Sequence, residues 1–215
     1  MSFTTLLIDL DETLYPSTAG VWDAIGKRME DYIHMRMGLP REDIPALRRS
    51  LYMQYGTTLR GLQATSGVDV EEFLAFVHDV PLETMLQPDS RLRDLLMRYP
   101  QRKLVFTNAD RPHAQRVIAR LGLDGCFDGI IDIHDIAPYC KPMLEAYQTA
   151  LRLSGETDPR RCAFIDDSPR NLAGAHEAGL YTVQVGRPKA EFQHPTVIAD
   201  AQIDRIIDLP AVIAP

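Results

Sequence analysis

A chain of 215 residues, 45% hydrophobic and 25% charged, has room for one sizeable α/β domain, or for a core carrying a smaller insert. Its 23 Lys and Arg against 30 Asp and Glu give a formal charge of −7, which argues against the basic face that a nucleic-acid polymer or an anionic membrane requires. No apolar run approaches the ~20 residues of a membrane span.

The first strand signal is Thr4–Leu10, and it runs into Asp9-Leu10-Asp11. These acids also interrupt the apolar stretch, so it lacks the block and cleavage site of a signal peptide. Side chains alternate faces along a strand, so Asp9 and Asp11 are expected to project together from the end of a buried strand. Two like charges ~4 Å apart repel by roughly 4 kcal/mol at an effective dielectric of ~20. Such a pair calls for a cation, a shared proton or a catalytic reason, one carboxylate attacking while the other moves a proton.

Strand signals then stop from about Pro16 to Pro88. Val21, Ile25, Met29 and Ile33 recur every four residues and predict an amphipathic helix. Leu47 with Leu51, then Phe73, Leu74 and Val77, predict further short helices. We expect an all-helical insert over 16–87, leaving a discontinuous α/β core from 1–15 and 88–215. Strands are expected again at Lys103–Thr107, Gly129–Ile133, Cys162–Ile165 and Tyr181–Val185, each nearly continuous in hydrophobicity, as parallel strands buried on both faces are. One helix between them has Pro112 near its start, Val117, Ile118 and Leu121 on one face, and Gly122 past its end. Two more run Pro142–Leu153, closed by Gly155, and Pro169–Ala178, closed by Gly179. This alternation predicts an open, doubly wound, mostly parallel sheet. Beyond Gly186 the chain reads as a Pro-containing tail with a short edge strand near Gln202–Ile203.

Ligands of such sheets bind beyond the carboxyl ends of the strands, so those ends spell out the site. Strand two ends in Thr107-Asn108, able to donate to an anionic oxygen or to cap the next helix. Lys141 stands just ahead of a helix, where the dipole disfavours a cation, so it is expected to face a bound anion. Strand four runs into Asp166-Asp167-Ser168, and capping accounts for one acid but not for both. Asp9, Asp11, Asp166 and Asp167 gathered against Lys141 require a hard cation, and oxygen-only ligands suit Mg²⁺. The six histidines show no HxxxH or HxH spacing, so zinc or iron is not expected; His78 and His113 are expected at the cleft mouth. Cys126, Cys140 and Cys162 form no CxxC pair and read as packed, reduced thiols, with the cytoplasm the expected compartment.

With those residues in view, the chain resembles the haloacid dehalogenase-like hydrolase superfamily. Its phosphatases carry a DxDxT motif, a Ser or Thr, a Lys and a terminal acidic pair, matched here by Asp9-Leu10-Asp11-Glu12-Thr13, Thr107, Lys141 and Asp166-Asp167. Leu14-Tyr15-Pro16, the run from Tyr55 to Leu62, Phe76-Val77-His78-Asp79, Cys140-Lys141-Pro142 and the run from Ile165 to Asn171 are similar to the pyrimidine 5′-nucleotidase-like branch. Glu12 departs from the Asn of that branch. The resemblance implies a helical cap after the first motif, with Asp9 as nucleophile forming an aspartyl-phosphate. It implies that Asp11 protonates the leaving oxygen and then activates water, while Thr107 and Lys141 hold phosphoryl oxygens. Mg²⁺ would be bound by the Asp9 carboxylate, the Asp11 backbone carbonyl and Asp167, with Asp166 nearby or through water. The implied reaction is hydrolysis of a small phosphate monoester, a nucleoside 5′-monophosphate or alternatively a sugar phosphate or phosphoglycolate. Arg60, then Tyr55, Tyr52 and Trp22, are the residues of the insert expected to meet a base or a phosphate. A dehalogenase would have no use for Asp11. A receiver-like phospho-aspartate protein, the non-enzyme rival, would be about half this length and would have no insert.

Overall fold

The computed structural model describes residues 3–186 and 199–215. Six strands form one sheet: β1 (Thr5–Ile8), β2 (Arg102–Phe106), β3 (Gly129–Ile131), β4 (Cys162–Asp166), β5 (Tyr181–Val185) and β6 (Ala201–Ile203). Their order is β3-β2-β1-β4-β5-β6, and every neighbouring pair is parallel. This is the doubly wound architecture expected. Leu6, Leu7 and Ile8 of β1 and Ala163, Phe164 and Ile165 of β4 are all 0% exposed, which is why the central strands show no polar alternation. The edge strands β3 and β6 are only three residues each, which limits the backbone open to stray pairing. β6 is the edge strand anticipated near Gln202–Ile203. The tail expected past Gly186 falls partly on 187–198, outside the described residues.

β1 stops at Ile8, short of the predicted Leu10. Asp9 N still donates to Ile165 O (2.9 Å), but the chain then turns, with Leu14 N donating to Leu10 O (3.0 Å). The two acids are therefore set apart by a turn and not by strand alternation. Glu12 lies in that turn at φ 62°, a left-handed conformation that Asn tolerates better than Glu.

Between β1 and β2 the regular structure is helical: α1 (Val21–Met37), α2 (Ile44–Tyr55), α3 (Thr58–Ser66), α4 (Val70–Val77), α5 (Leu82–Met85) and α6 (Ser90–Arg98). α1 buries Val21, Ile25, Tyr32 and Ile33, and Tyr32 meets Phe73 and Phe76 edge-on at 5.0 and 5.4 Å. Met29, expected on that stripe, is only partly buried. α3 lies close on α2 because Gly61 faces Leu51, where a Cβ would stand 2.6 Å from the Leu51 Cβ.

α7 (Arg111–Arg120), α8 (Leu144–Ser154) and α9 (Pro169–Glu177) follow β2, β3 and β4. α8 begins two residues later than Pro142, because Met143 is still extended (φ −65°, ψ 135°). Arginines tie the helical segment to the rest. Arg116 donates to His78 O and Val80 O (2.8 Å each), and Arg120 to Leu86 O (2.9 Å). Among the described residues no helix is long and apolar enough to cross a membrane.

α9 sits directly on the loop after β3. A Cβ at Gly174 would stand 2.2 Å from Pro142 O and 2.7 Å from the Tyr147 ring. Overpacking of this kind costs about 3 kcal/mol, offset by about 1 kcal/mol of helix propensity. Gly174→Ala should therefore lower Tm by roughly 4–8 °C and also reduce activity, because the displaced loop carries Lys141. An unchanged melt would show that this contact yields freely.

Candidate active site

The strand order reverses at β1 and β4, so their carboxyl ends open into one crevice. Ile8 is level with Ile165, which brings Asp9 alongside Asp166 and Asp167. One carboxylate oxygen from each of these three lies within 4.8 Å of the others. Lys141, 1% exposed, reaches in from the loop after β3. Its Nζ donates to Asp9 Oδ1 (2.6 Å), Asp166 Oδ2 (2.9 Å) and Phe106 O (2.8 Å), using all the donors an ammonium has. Asp166 also accepts from Ser168 N (2.7 Å) and from the Asn171 amide (3.1 and 3.2 Å).

Three carboxylates against one ammonium leave −3 + 1 = −2 in a buried space. Burial drives the Asp9 pKa up to about 7; Lys141 opposes that rise and Asp166 adds to it. Burial, then Asp166 and Asp9, holds Asp167 well above the carboxylate range. Burial alone would lower the Lys141 pKa, but Asp166 and Asp9 outweigh it and raise it. Negative charge is in excess here, and every ligand on offer is a carboxylate oxygen. That donor set fits a hard divalent cation such as Mg²⁺, which Asp9, Asp166 and Asp167 could hold. The groups that Lys141 meets within the chain are the Asp9 and Asp166 carboxylates and the Phe106 carbonyl. The later start of α8 removes the mismatch with the helix dipole.

The Asp11 carboxylate stands outside this set. Its Oδ1 accepts from the Tyr15 hydroxyl (2.5 Å) and lies 3.0 Å from His113 Nε2. Burial works to raise its pKa, yet His113 first and Tyr15 next outweigh that and hold it below the usual value. One acid is therefore embedded with a lysine and two further carboxylates, while the other is held apart by Tyr15 and His113.

Thr107 is buried at the end of β2, and its Oγ1 accepts from Ala109 N (3.0 Å). Asn108 is tied to the loop that carries Lys141. Its amide accepts from Lys141 N (2.9 Å) and donates to Lys141 O (3.0 Å), pairing with that backbone as a strand would. Neither residue caps α7, whose cap is Asp110, accepting from His113 N (3.1 Å). Arg60 is 7% exposed and spends its guanidinium on Ile133 O (2.8 Å), Tyr139 O (3.0 Å) and Gln63 Oε1 (3.0 Å). It ties the helical segment to the loop after β3, where carbonyls without strand partners need donors, so it is not free to meet a phosphate. The Tyr55 carbonyl accepts from Cys140 Sγ (3.4 Å), Arg170 lies 4.7 Å over the Tyr52 ring, and Trp22 is 40% exposed on the first turn of α1. Cys140 is buried, and its thiol pKa is pushed up by that burial despite Arg60 nearby. His78 and His113, at 7% and 1% exposure, line no mouth; they are packed behind Asp11.

The sequence placed His113 at the cleft mouth and not against Asp11, and it gave no part to Tyr15 or Asn171. A signal existed for His113, which stands in the first turn of the helix that follows strand two, three residues after an Asp suited to capping. Nothing comparable marks Tyr15, since a turn sets its approach to Asp11.

Residues 3–179 match the family model for haloacid dehalogenase-like hydrolases. The chain is 31% identical over 186 residues, 80% of its length, to "Phosphate metabolism protein 8" of Saccharomyces cerevisiae, and spans 58% of that relative. Among solved structures, the magnesium-bound HAD-hydrolase YfnB of Bacillus subtilis aligns with TM-score 0.66 at 17% identity over 99% of each chain. The L-2-haloacid dehalogenase of Xanthobacter autotrophicus aligns with TM-score 0.63 at 17% identity over 97% of each. Likeness at that identity speaks for the fold alone.

Proposed function

Since this chain belongs to the haloacid dehalogenase-like hydrolase family, we propose that it is a Mg²⁺-dependent phosphatase acting on small phosphate monoesters through an aspartyl-phosphate. Nucleoside 5′-monophosphates are the substrate class to test first. The observation that carries this reading is the division between the two acids. Asp9 sits in the charge cluster, and Asp11 is held separately by Tyr15 and His113. Two carboxylates with separate partners can take separate parts, one attacking phosphorus and the other moving a proton.

Lys141 fixes the Asp9 carboxylate through Oδ1, so attack on phosphorus starts from an oriented group. Asp11, once loaded with a proton from solvent, passes it to the departing ester oxygen, then takes one from the water that cleaves the aspartyl-phosphate. Thr107 supplies a hydroxyl donor to the phosphoryl oxygens. Mg²⁺ held by Asp9, Asp166 and Asp167 would offset the charge on those oxygens. The helical segment 16–87 would close over the strand ends and exclude water. The name of the yeast relative, which concerns phosphate metabolism, supports this chemistry. The free, buried cysteines support a reducing, cytoplasmic setting.

The dehalogenase reading leaves Asp11 idle, because a departing halide takes no proton. A panel of uridine and cytidine monophosphates, sugar phosphates and phosphoglycolate, assayed with Mg²⁺ and again with EDTA, separates the readings. Phosphate release over many turnovers is expected with Mg²⁺, falling by at least about 100-fold on chelation. Halide release from 2-haloacids with no phosphatase activity would sink the proposal, and a long-lived phospho-aspartate would favour a receiver. Turnover of sugar phosphates and phosphoglycolate but of no nucleotide would move the substrate class.

A further inference from the structure

Asp11 is gripped at one oxygen. Tyr15 and His113 both converge on Oδ1, and among the described residues no hydrogen bond reaches Oδ2. The His113 ring is itself braced. His78 stacks on it with centroids 4.2 Å apart and planes 18° from parallel. His78 Nδ1 lies 2.9 Å from Asp110 Oδ1, close enough for an ion pair although out of line for a hydrogen bond, and that oxygen accepts from His113 N. Arg116, one turn on in α7, holds the His78 carbonyl (2.8 Å). His113 Nδ1 is buried without a hydrogen-bond partner. A proton there would be stranded at about 1–3 kcal/mol, so the ring proton belongs on Nε2, where Asp11 accepts it.

We propose that His113, braced by His78 and Asp110, is a positioning residue that holds Asp11 by Oδ1 and so presents Oδ2 to the leaving oxygen of the substrate. This rests on the phosphatase reading. In the step concerned, an Asp9 oxygen bonds to phosphorus and the P–O ester bond breaks. The departing oxygen keeps that electron pair and takes from Asp11 Oδ2 a proton that Asp11 has first picked up from solvent. The products are an alcohol, the aspartyl-phosphate and the Asp11 carboxylate. His78 ends α4 in the helical segment, whereas His113 stands on α7 beside the sheet. The stack therefore registers Asp11 to the helical segment as well as to the core.

The test compares leaving groups. An alkyl phosphate, the fastest of the panel above, needs its departing oxygen protonated; p-nitrophenyl phosphate needs this far less. The His113→Asn side chain is too short to reach Asp11, whereas that of His113→Gln can put an amide N–H near the Nε2 position. His113→Asn should lower kcat on the alkyl phosphate about 30-fold, a part of the roughly 10²–10⁴-fold that a general acid supplies, with KM changed less than about threefold. On p-nitrophenyl phosphate the loss should stay below about fivefold. His113→Gln should recover a large part of the alkyl phosphate rate. Equal losses on both esters, or no recovery with Gln, would overturn the positioning role. If the wild-type protein with Mg²⁺ hydrolyses neither ester, the phosphatase reading falls, and this inference with it. Should His113→Asn fail to fold, long-range proton–nitrogen NMR of the wild type decides: protonation of His113 at Nε2 is expected, and a proton on Nδ1 alone overturns the proposal.

Discussion

Asp9→Asn is expected to lower kcat by at least about 10⁴-fold, with the fold intact; losing the nucleophile of another hydrolase costs about 2 × 10⁶. The amide cannot form the acyl phosphate, so the two-step route closes. Hydrolysis of phosphate monoesters is slow enough without an enzyme that the remaining groups supply little rate of their own. Stability should hold or rise. The substitution removes one of the three clustered carboxylates, and its amide oxygen still accepts from Lys141. Burial already pushes the Asp9 pKa up against the pull of Lys141, so a neutral amide is tolerated at this position. Phosphate release and thermal melting on the same preparations check both halves. Near-wild-type turnover in this variant would remove the basis for the phosphatase assignment.

Lys141→Met should have the largest effect on stability. It strands Asp9 and Asp166, at 10% and 0% side-chain exposure, without the cation that bridges them. Removing one partner of a buried ion pair costs about 3–5 kcal/mol. Activity should fall by at least about 100-fold as well, since Asp9 loses the group that orients it. A divalent cation can replace part of the lost charge, so Mg²⁺ should raise the denaturation midpoint of this variant more than that of the wild type. Denaturant melts with Mg²⁺ and with EDTA measure that difference. Wild-type stability of Lys141→Met in EDTA would mean that solvent, not Lys141, screens the carboxylates.

The sheet and the helices after it were legible because their signals are local. Buried parallel strands leave unbroken apolar runs, and Gly122, Gly155 and Gly179 adopt positive φ just past α7, α8 and α9. The convergence of Asp9 with Asp166 and Asp167 was legible too, because parallel strands at a reversal of order must bring their carboxyl ends together. Partners of polar side chains were a different matter. Asn108 reaches Lys141 across 33 positions, Arg60 reaches Ile133 across 73, and His113 reaches Asp11 across 102. Spacing along the chain carries no trace of such meetings.

By itself the sequence determined the doubly wound sheet, the helical excursion after the first strand and the family. Those depend on periodicity, punctuation residues and motif spacing, all written within a few residues of one another. Only the tertiary structure decided that β1 ends at Ile8, that Arg60 serves carbonyls instead of phosphate, that Asn108 pairs with the Lys141 backbone, and that Asp11 is held from behind by Tyr15 and His113. The reason is physical. A buried donor or acceptor must find a partner at about 3 Å or lose roughly 1–3 kcal/mol, and which partner lies within reach is known only once distant segments have packed.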